Sequence, residues 1–309
     1  MTKPTVLVLG GGVGAERDIS IASADAVATA LIESERFNVE HRVVGRLTPG
    51  ELATLPGDVI APILHGAWGE GGPMQDILVA DGRPFVGSGP DAARLAMDKI
   101  AFKLFAQAQG AATKIAFVVD PEDEGRPLPL PVVVKPIRDG STVGLHICTT
   151  QEQWLAAHRE SREDPQPYMV EPLIEGREVT VGVVGGEALP IIEIVPADGL
   201  YDYDAKYTRQ DTRYLAHPEL PEALSDRLAN EAVMLAHKAN VRHLCRLDYI
   251  IDEASDAWLL ELNTMPGFTD HSLVPMAARA RRGDPMEMPE LCRRLVEMAL
   301  SESLQGARS

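Results

Sequence analysis

Two short segments near the carboxyl end of the chain combine polar and apolar residues in a way that could bind a metal ion. The triplets Arg246-Leu-Asp248 and Glu261-Leu-Asn263 each alternate polar and apolar residues, which is the period of a β-strand. If the turn between them is centred at 254–255, antiparallel pairing places Asp248 opposite Glu261 and Arg246 opposite Asn263. Two carboxylates then face each other across the strand pair.

Facing carboxylates within apolar strands repel each other, so a cation between them would stabilise the pair. Carboxylate and amide oxygens are the hard ligands that magnesium prefers, together with the phosphates of a substrate. The alternative is a solvated strand face on which Arg246 pairs with Asp248. This segment alone favours neither a magnesium site nor an ion pair.

Lysines at the ends of apolar segments indicate a second kind of chemistry, the binding of phosphate. They are Lys99, Lys135 and Lys206, and Lys135 precedes a loop rich in glycine and hydroxyl groups at 138–144. Glycine lets backbone N–H groups approach a phosphate, and hydroxyl groups donate further hydrogen bonds. For any one of these features, a plain hairpin turn is the simpler interpretation.

The glycine-rich segment at 10–15 matches the G-x-G-x-x-G/A pattern of dinucleotide-binding folds and favours a nicotinamide-dependent oxidoreductase. Glu16 and Asp18 follow directly, however, where the pyrophosphate of a dinucleotide would lie. Two carboxylates at that point would repel it. Glu16 suits a cationic group of a ligand better.

The elements that must position these groups alternate between strands and helices, which predicts an α/β sheet with ligand groups at the ends of its strands. His65 follows the third predicted strand. A single helix is predicted from a cap at Asp91 to about Gln109, with Lys99 inside it. Strands are predicted at 5–9, 38–44, 58–64, 132–135, 179–184, 190–195, 243–251 and 258–263, and further helices at 20–32 and 221–239.

Composition limits the class of protein. The chain has 309 residues, of which 45% are hydrophobic, so it can bury a large core in two or three subdomains. A net charge of -17 argues against nucleic acid as a partner, and no apolar run is long enough for a membrane span. The three cysteines fit neither a disulfide framework nor a zinc site, which favours a cytoplasmic protein.

Taken together, the motifs resemble those of the D-alanine-D-alanine ligases, a family of the ATP-grasp superfamily. The resemblance implies an α/β ATP-grasp fold with three subdomains: a Rossmann-like α/β domain at 1–95, a small central α+β subdomain at 96–176 and a C-terminal α+β subdomain at 177–309. The matching runs occur in the family's order over nearly the whole chain: GGVGAERDIS at 11–20, HGAWGEGGPMQ at 65–75, MDK at 97–99, KPIRDGSTVG at 135–144, 171–179, YDYDAKY at 201–207, RLD at 246–248 and ELNTMPGFTDHSLVP at 261–275.

The resemblance implies that ATP is held between the central and C-terminal subdomains. It assigns the phosphates to Lys99 and Lys135, the adenine to the segment containing Glu171 and Ile174, and the ribose to Glu178. Two magnesium ions, for which manganese could substitute, are assigned to Asp248, Glu261 and Asn263.

The resemblance also assigns residues to two D-alanine molecules. The first is expected to place its ammonium near Glu16 and its carboxylate against Arg246 and the N–H of Gly267, with His65 close by. The second is expected to place its carboxylate on Lys206 and Ser272. A lid at 201–214 is expected to exclude water, with Tyr201 in contact with substrate and Tyr207 linked to Glu16 through the hydroxyl of Thr142.

The activity implied by the resemblance is the ATP-dependent joining of two D-alanine molecules through an acyl phosphate, which supplies a precursor of peptidoglycan. The family also implies a homodimer. Three alternatives stay open from the sequence: an ATP-grasp ligase with another second substrate such as D-lactate or D-serine, the nicotinamide-dependent oxidoreductase, and a nucleotide-binding protein without activity.

Overall fold

In the computed structural model, which describes residues 3–140, 143–196 and 212–306, the chain begins with a parallel sheet of order β2-β1-β3. Residues Val6 to Leu9 of β1 are fully buried, as the apolar run predicts. The predicted strand, loop and helix opening is confirmed, although the helix begins earlier than residue 20. The elements are β1 (Thr5–Gly11), α1 (Arg17–Glu33), β2 (Asn38–Val44), α2 (Pro49–Thr54), β3 (Val59–Pro62), α3 (Gly66–Gly69) and α4 (Pro73–Asp81).

The prediction of one long helix from Asp91 to Gln109 is wrong. The chain forms α5 (Pro90–Met97) and α6 (Lys99–Ala108), with a break at Asp98. The backbone of Asp98 is extended, and its carboxylate accepts a hydrogen bond from the N–H of Ala101 at 3.0 Å. Asp98 therefore caps a new helix, and Lys99 becomes its first residue rather than an interior one.

A central antiparallel sheet of order β4-β7-β5-β6 follows, covered by one helix. Trp154 of that helix is almost fully buried against Val132, Val134 and Val170 of the sheet. The side chain of Thr150 begins the helix by accepting a hydrogen bond from Gln153 N–H. The elements are β4 (Phe117–Val118), β5 (Val132–Pro136), β6 (His146–Cys148), α7 (Gln151–Glu163) and β7 (Tyr168–Pro172).

The C-terminal sheet has the order β11-β10-β8-β12-β13, with β9 paired to β8. Leu228 and Leu235 of the next helix, α8, pack on one face against Val179, Val181 and Leu247. The elements are β8 (Arg177–Val184), β9 (Glu187–Ala188), β10 (Ile192–Val195), β11 (Arg213–Ala216), α8 (Glu222–Lys238), β12 (Leu244–Ile251), β13 (Ala257–Asn263), α9 (Leu273–Arg279) and α10 (Met288–Gly306).

The first sheet and the end of the chain share one hydrophobic core. Val6 and Val8 of β1 belong to the same buried cluster as Val184 of β8 and Leu295 of α10. The subdomain boundaries expected from the sequence stay a prediction. Among the helices that the structure describes, none combines the length and apolarity that a membrane crossing requires.

Candidate active site

A cavity of about 640 Å³ lies between the central and the C-terminal sheets. Its walls are largely apolar, with Val133 and Ile147 on the central side and Ile250 and Leu260 on the C-terminal side. Its charged lining includes many of the residues expected at the site: Lys99, Lys135, Glu171, Glu178, Arg246, Asp248 and Glu261. An apolar cleft with a few converging charged groups is typical of a small-molecule site.

The predicted register of the two C-terminal strands is confirmed. Arg246 of β12 lies opposite Asn263 of β13, and Asp248 lies opposite Glu261. A β-bulge follows immediately, because Tyr249 pairs with Leu259 rather than with the residue after it. β13 therefore has one extra residue at the cavity, Leu260, and the expected pairing does not arise from the simple turn assumed from the sequence.

Arg246 and Asp248 form a two-pronged ion pair along β12. The guanidinium donates to both carboxylate oxygens of Asp248, each at 2.8 Å, and the Thr180 hydroxyl donates to one of them at 2.7 Å. The pair suggested as the alternative to a metal site is therefore present. It is not on a solvated face, however, since Asp248 is only 5% exposed and both residues line the cavity.

Glu261 is the more open carboxylate of the facing pair, with 29% of its side chain exposed. The ammonium of Lys99 lies 3.2 Å from it. The Asn263 side chain accepts a hydrogen bond from the N–H of Met265 at 2.8 Å. Within the described residues, no group of three or more His, Cys, Asp or Glu side chains is arranged to hold a metal ion. Magnesium at this position stays a prediction.

A second charged cluster lies deeper in the wall, where Glu171 of β7 binds two lysines. The ammonium of Lys135 is 2.6 Å from one carboxylate oxygen, and that of Lys103 is 2.8 Å from the other. Burial alone would raise the pKa of Glu171, but the two ammonium groups outweigh it and lower the pKa to about 2. Glu171 therefore stays ionised although it is buried.

The first turn of α6 is fastened to the glycine-rich loop that begins at Arg138. The guanidinium of Arg138 donates to the carboxylate of Asp98 at 2.9 and 3.0 Å. The backbone N–H of Lys99 donates to the Ile137 carbonyl at 3.2 Å, and its ammonium donates to the Asp139 carbonyl at 2.5 Å. One helix terminus thus holds both a lysine and the start of the loop against the cavity.

The residues expected near the nucleoside also line the cavity. Ile174 follows β7, and Glu178 lies on β8 between Ile194 and Ile250 of its neighbouring strands. Arg177 and Glu193 form a two-pronged ion pair beside them, at 2.7 and 2.8 Å. In this part of the cavity the sides are therefore apolar, and the carboxylate of Glu178 lies at the edge.

Glu16 lies at the cap position just before α1. A β-carbon placed on Gly140 would lie 3.0 Å from one carboxylate oxygen of Glu16, and one on Gly66 would lie 3.4 Å from the other. The carboxylate therefore lies where the N-terminal sheet meets the central loop. Arg17 instead binds the loop, donating to the carbonyls of Gly12 and Val44, each at 2.8 Å.

His65 and Glu70 are buried beside Glu16. Burial lowers the pKa of His65 to about 4, against a backbone hydrogen bond with Met265 that raises it, so His65 is neutral near pH 7. Burial and the nearby Glu16 carboxylate raise the pKa of Glu70 well above its ordinary value. The N–H of Gly66 donates to Glu70 at 3.0 Å. Glu16 and Glu70 therefore repel each other when both are ionised.

Gly267 and Ser272 lie together beyond the end of β13. A β-carbon on Gly267 would lie 2.8 Å from the Ser272 hydroxyl oxygen, so a side chain there would collide with it. The Ser272 oxygen accepts a hydrogen bond from Thr269 N–H at 2.9 Å, and the N–H of Phe268 donates to Ser23 of α1 at 3.1 Å. This turn therefore connects the C-terminal strand pair to the N-terminal helix.

Several expected site residues lie outside the described residues: Thr142, Tyr201, Lys206 and Tyr207, with most of the expected lid. The lid was expected to extend to Tyr214, but Arg213–Ala216 forms β11, in which Tyr214 pairs with Ile194 of β10. The expected loop is therefore shorter at its carboxyl end.

Sequence reasoning missed two charged residues at the site, Lys103 and Glu70. Lys103 follows Lys99 by four residues, and two residues at that spacing lie on one face of a helix, so a signal was present. Glu70 gave no comparable signal. Its importance comes from burial next to Glu16, which lies on a distant segment of the chain.

Comparison with known proteins gives consistent results. Residues 95–297 match a family model described as the C-terminus of D-ala D-ala ligase. The chain is 38% identical over 305 residues to a D-alanine-D-alanine ligase from Dechloromonas aromatica, covering 96% of this chain and 98% of that protein.

Two solved structures extend the likeness to three dimensions. A D-alanine-D-alanine ligase from Bacillus anthracis, in complex with ATP, matches with a TM-score of 0.82 and 26% identity over 99% of this chain and 100% of the other. A D-Ala:D-Ser ligase from Enterococcus faecalis matches with a TM-score of 0.83 at 21% identity, covering 96% of this chain and 100% of that one. The second likeness concerns the fold alone.

Proposed function

Since the chain belongs to the D-alanine-D-alanine ligase family, we propose that it joins two D-alanine molecules into D-alanyl-D-alanine at the expense of ATP. Its fold is the α/β ATP-grasp fold expected from the sequence. The reaction proceeds through an acyl phosphate and supplies a precursor of peptidoglycan.

One observation carries the proposal. A single cavity, closed by two antiparallel sheets, brings lysines, carboxylates and an arginine from distant segments to one place. Lysine ammonium groups attract phosphate, and the apolar sides accept a flat base. Gly140 lines the cavity and lies against the carboxylate of Glu16, which suits the ammonium of an amino acid. Phosphate and amino acid thus have adjacent sites.

Lys99 and Lys135 bind the phosphates of ATP, because both ammonium groups belong to the cavity wall. Ile174 contacts the adenine and Glu178 accepts hydrogen bonds from the ribose. Glu171 lies on the same wall and fixes Lys135 in place through its ion pair of 2.6 Å. Phosphoryl transfer needs mainly this kind of positioning and charge neutralisation.

Asp248, Glu261 and Asn263 fit a magnesium ion by the chemistry of their oxygens, which are hard donors. Asp248 and Glu261 line the cavity, and Asn263 lies two residues beyond Glu261 on β13. Magnesium, when bound, neutralises charge on the phosphates, and manganese could substitute for it. Lys99 contributes positive charge at the same point, 3.2 Å from Glu261.

The first D-alanine binds with its ammonium at Glu16 and its carboxylate at Arg246, Gly267 and His65. Its carboxylate oxygen attacks the terminal phosphorus of ATP, and ADP leaves as an acyl phosphate forms. Arg246 and the Gly267 N–H are assigned to the oxyanion of the second step, which needs hydrogen-bond donors directed at its developing charge. Neutral His65 can donate a hydrogen bond there without repelling Arg246.

The second D-alanine attacks the acyl carbon with its amine, and inorganic phosphate leaves. Ser272, beside Gly267, holds the carboxylate of this second amino acid. Lys206 is proposed as its cationic partner, with Tyr207 linked to Glu16 through Thr142 and Tyr201 closing over the site. An acyl phosphate hydrolyses in water, so the segment that carries these residues must exclude solvent during the reaction.

The proposal is tested by measuring ADP release with the purified chain, ATP and magnesium. D-alanine is expected to support release, with D-alanyl-D-alanine detected as the product. Parallel reactions contain D-alanine together with D-serine or D-lactate. ADP release only when one of these is added would show a different second substrate, and hydride transfer from NADH would show an oxidoreductase.

The variant Glu261→Gln tests the metal site. The amide keeps the size of the side chain and removes a charged ligand, so turnover at ordinary magnesium concentrations is expected to be lost. Glu163→Gln, a matched change at the exposed end of α7, should leave the rate unchanged. A near-normal rate for Glu261→Gln would show that this strand face does not hold the metal.

The reaction is assigned to the cytoplasm, where ATP is available and thiols stay reduced. The three cysteines are free and buried, which agrees with a reducing compartment. The family implies a homodimer. Size-exclusion chromatography with light scattering tests it, since a monomer mass would contradict it.

A further inference from the structure

Lys103 is a buried lysine to which the proposed reaction gives no task. Only 3% of its surface is exposed. Burying an ammonium group is costly unless it is paired and hydrogen-bonded. Here the ammonium lies 2.8 Å from Glu171 and donates to the Thr113 hydroxyl at 2.8 Å. These two contacts stabilise the buried ammonium of Lys103, but they do not explain why a charged residue occupies this position.

The charges of its neighbours give the explanation. Lys103, Glu171 and Lys135 form a group, here called the lysine-carboxylate cluster, with two positive charges and one negative charge. Each lysine binds a different oxygen of Glu171, Lys135 at 2.6 Å and Lys103 at 2.8 Å. If Lys103 were absent, Lys135 and Glu171 would neutralise each other. With Lys103, the cluster keeps one net positive charge.

The net charge acts on the cavity. Lys135 and Glu171 line the cavity wall, whereas Lys103 lies behind them, against Thr113. We propose that Lys103 is a positioning residue, which binds one oxygen of Glu171 so that Lys135 presents a net positive charge to the phosphates of ATP. The inference rests on the proposed function, because it takes ATP as the ligand of the cavity.

The protonation of the cluster supports this account. Burial would lower the pKa of Lys135, but Glu171 and Glu261 outweigh it and raise the pKa. The carboxyl of Glu171, with a pKa of about 2, stays ionised. Burial lowers the pKa of Lys103, and Glu171 offsets part of that effect. The two ion pairs, at 2.6 and 2.8 Å, thus favour the charged forms counted above.

The variant Lys103→Met tests the proposal, because methionine fills a similar volume without charge. Binding is measured by calorimetry on the full chain with two probes, tripolyphosphate and adenosine, in the absence of amino acids. Tripolyphosphate is expected to bind at least on the order of tenfold more weakly, as for one protein charge lost at roughly 10 Å from a single phosphate charge in an effective dielectric near 20. Adenosine, which is uncharged, should bind as before. Lys238→Met, at an exposed lysine of α8, is the matched control.

The double variant Lys103→Met/Glu171→Gln separates charge from packing. It removes one charge of each sign, so Lys135 again presents one positive charge. Tripolyphosphate affinity is expected to recover to within about threefold of the wild type, and Lys103→Arg should keep most of it. This comparison holds even if the single variant folds poorly, which circular dichroism would reveal.

Several outcomes would overturn the inference. Unchanged tripolyphosphate binding by Lys103→Met, no recovery in the double variant, or equal losses for tripolyphosphate and adenosine would each mean that Lys103 acts only through packing. The proposed function fails separately. If the wild type formed no ADP with D-alanine and yet the charge dependence of tripolyphosphate binding held, the inference would stand and the substrate would be wrong.

Discussion

Two buried glutamates at the ends of the site have opposite protonation behaviour. Glu171 lies between the ammonium groups of Lys103 and Lys135, and its pKa falls to about 2. Glu70 lies beside the carboxylate of Glu16, and burial together with that neighbour raises its pKa well above the ordinary value. Burial acts in the same direction on both, so the neighbouring charges decide the difference.

The contrast matches the ligands proposed for each end. At the proposed nucleotide end, the lysine-carboxylate cluster carries one excess positive charge, which suits phosphates. At the proposed amino-acid end, burial and the neighbouring Glu16 carboxylate raise the pKa of Glu70, so an ammonium there would relieve the repulsion between the two carboxyl groups. Both ends use glutamate, and the distinction comes from lysines on α6 and β5 at one end and from Glu16 at the other. Residue type alone therefore does not assign a role.

The largest expected effect is on stability, at the nucleotide end. Glu171→Gln leaves two buried ammonium groups facing a neutral amide, and we expect it to lower the free energy of unfolding by about 3 to 5 kcal/mol at pH 7. Urea unfolding measures the loss. Glu163→Gln, on the exposed end of α7, should change stability little.

The pH dependence of that loss follows from the lowered pKa. Because the pKa of Glu171 is about 2 in the folded chain and 4.5 ordinarily, its stabilisation is complete above pH 4.5 and declines as the pH falls towards 2. The difference between wild type and Glu171→Gln should shrink over that range. A difference that stayed constant would mean that the carboxylate charge is not what stabilises the cluster.

The next effect concerns activity at the amino-acid end. Glu16→Gln removes the charge proposed to face the D-alanine ammonium, so kcat/KM for D-alanine should fall on the order of 100-fold while the affinity for ATP is retained. Steady-state ADP release measures the first quantity and calorimetry the second. Glu33→Gln, at the exposed other end of α1, is the matched control. A parallel loss of ATP affinity would remove the distinction between the two ends.

A smaller effect of opposite sign is expected from Glu70→Gln. Above pH 4.5, Glu70 is still protonated in the folded chain but ionised in the unfolded chain. The wild type therefore loses stability as the pH rises above 4.5. The glutamine variant lacks this loss. Its unfolding free energy relative to wild type should therefore rise with pH above 4.5, by no more than about 1.4 kcal/mol per pH unit. A relative decrease over the same pH range would show that Glu70 is ionised and stabilising.

The sequence predicted the strand register at the site correctly. Alternation placed Asp248 opposite Glu261, as observed, because one polar face of a strand pair must align with another. The bulge that produces this register could not be predicted, since a bulge and a shifted turn give the same pairing.

The helix break at Asp98 was missed for a different reason. The apolar pattern continues through it, and only the cap and the contact with Arg138 end the first helix there.

The charge balance of the site was harder to predict than its residues. The sequence identified Lys99, Lys135 and Glu171. The role of Lys103, on α6, depends on its closeness to Glu171, which lies on a strand of the central sheet. Likewise, the raised pKa of Glu70 depends on its burial and on Glu16, which lies on a distant segment of the chain. A one-dimensional pattern shows which side chains share a face of one element. It does not show which elements meet.

The smallest effect concerns the link between the two ends, where Asp98 holds the glycine-rich loop. In Asp98→Asn, asparagine still caps α6, so stability should change by less than about 0.5 kcal/mol, while the ion pair with Arg138 is lost. Because that pair is partly exposed, KM for ATP should rise only about two- to fivefold, with kcat retained. Arg138→Gln should match it, and the double variant should be no worse than either. Additive losses would show that the two residues act separately, and the loop would then need another explanation for its position.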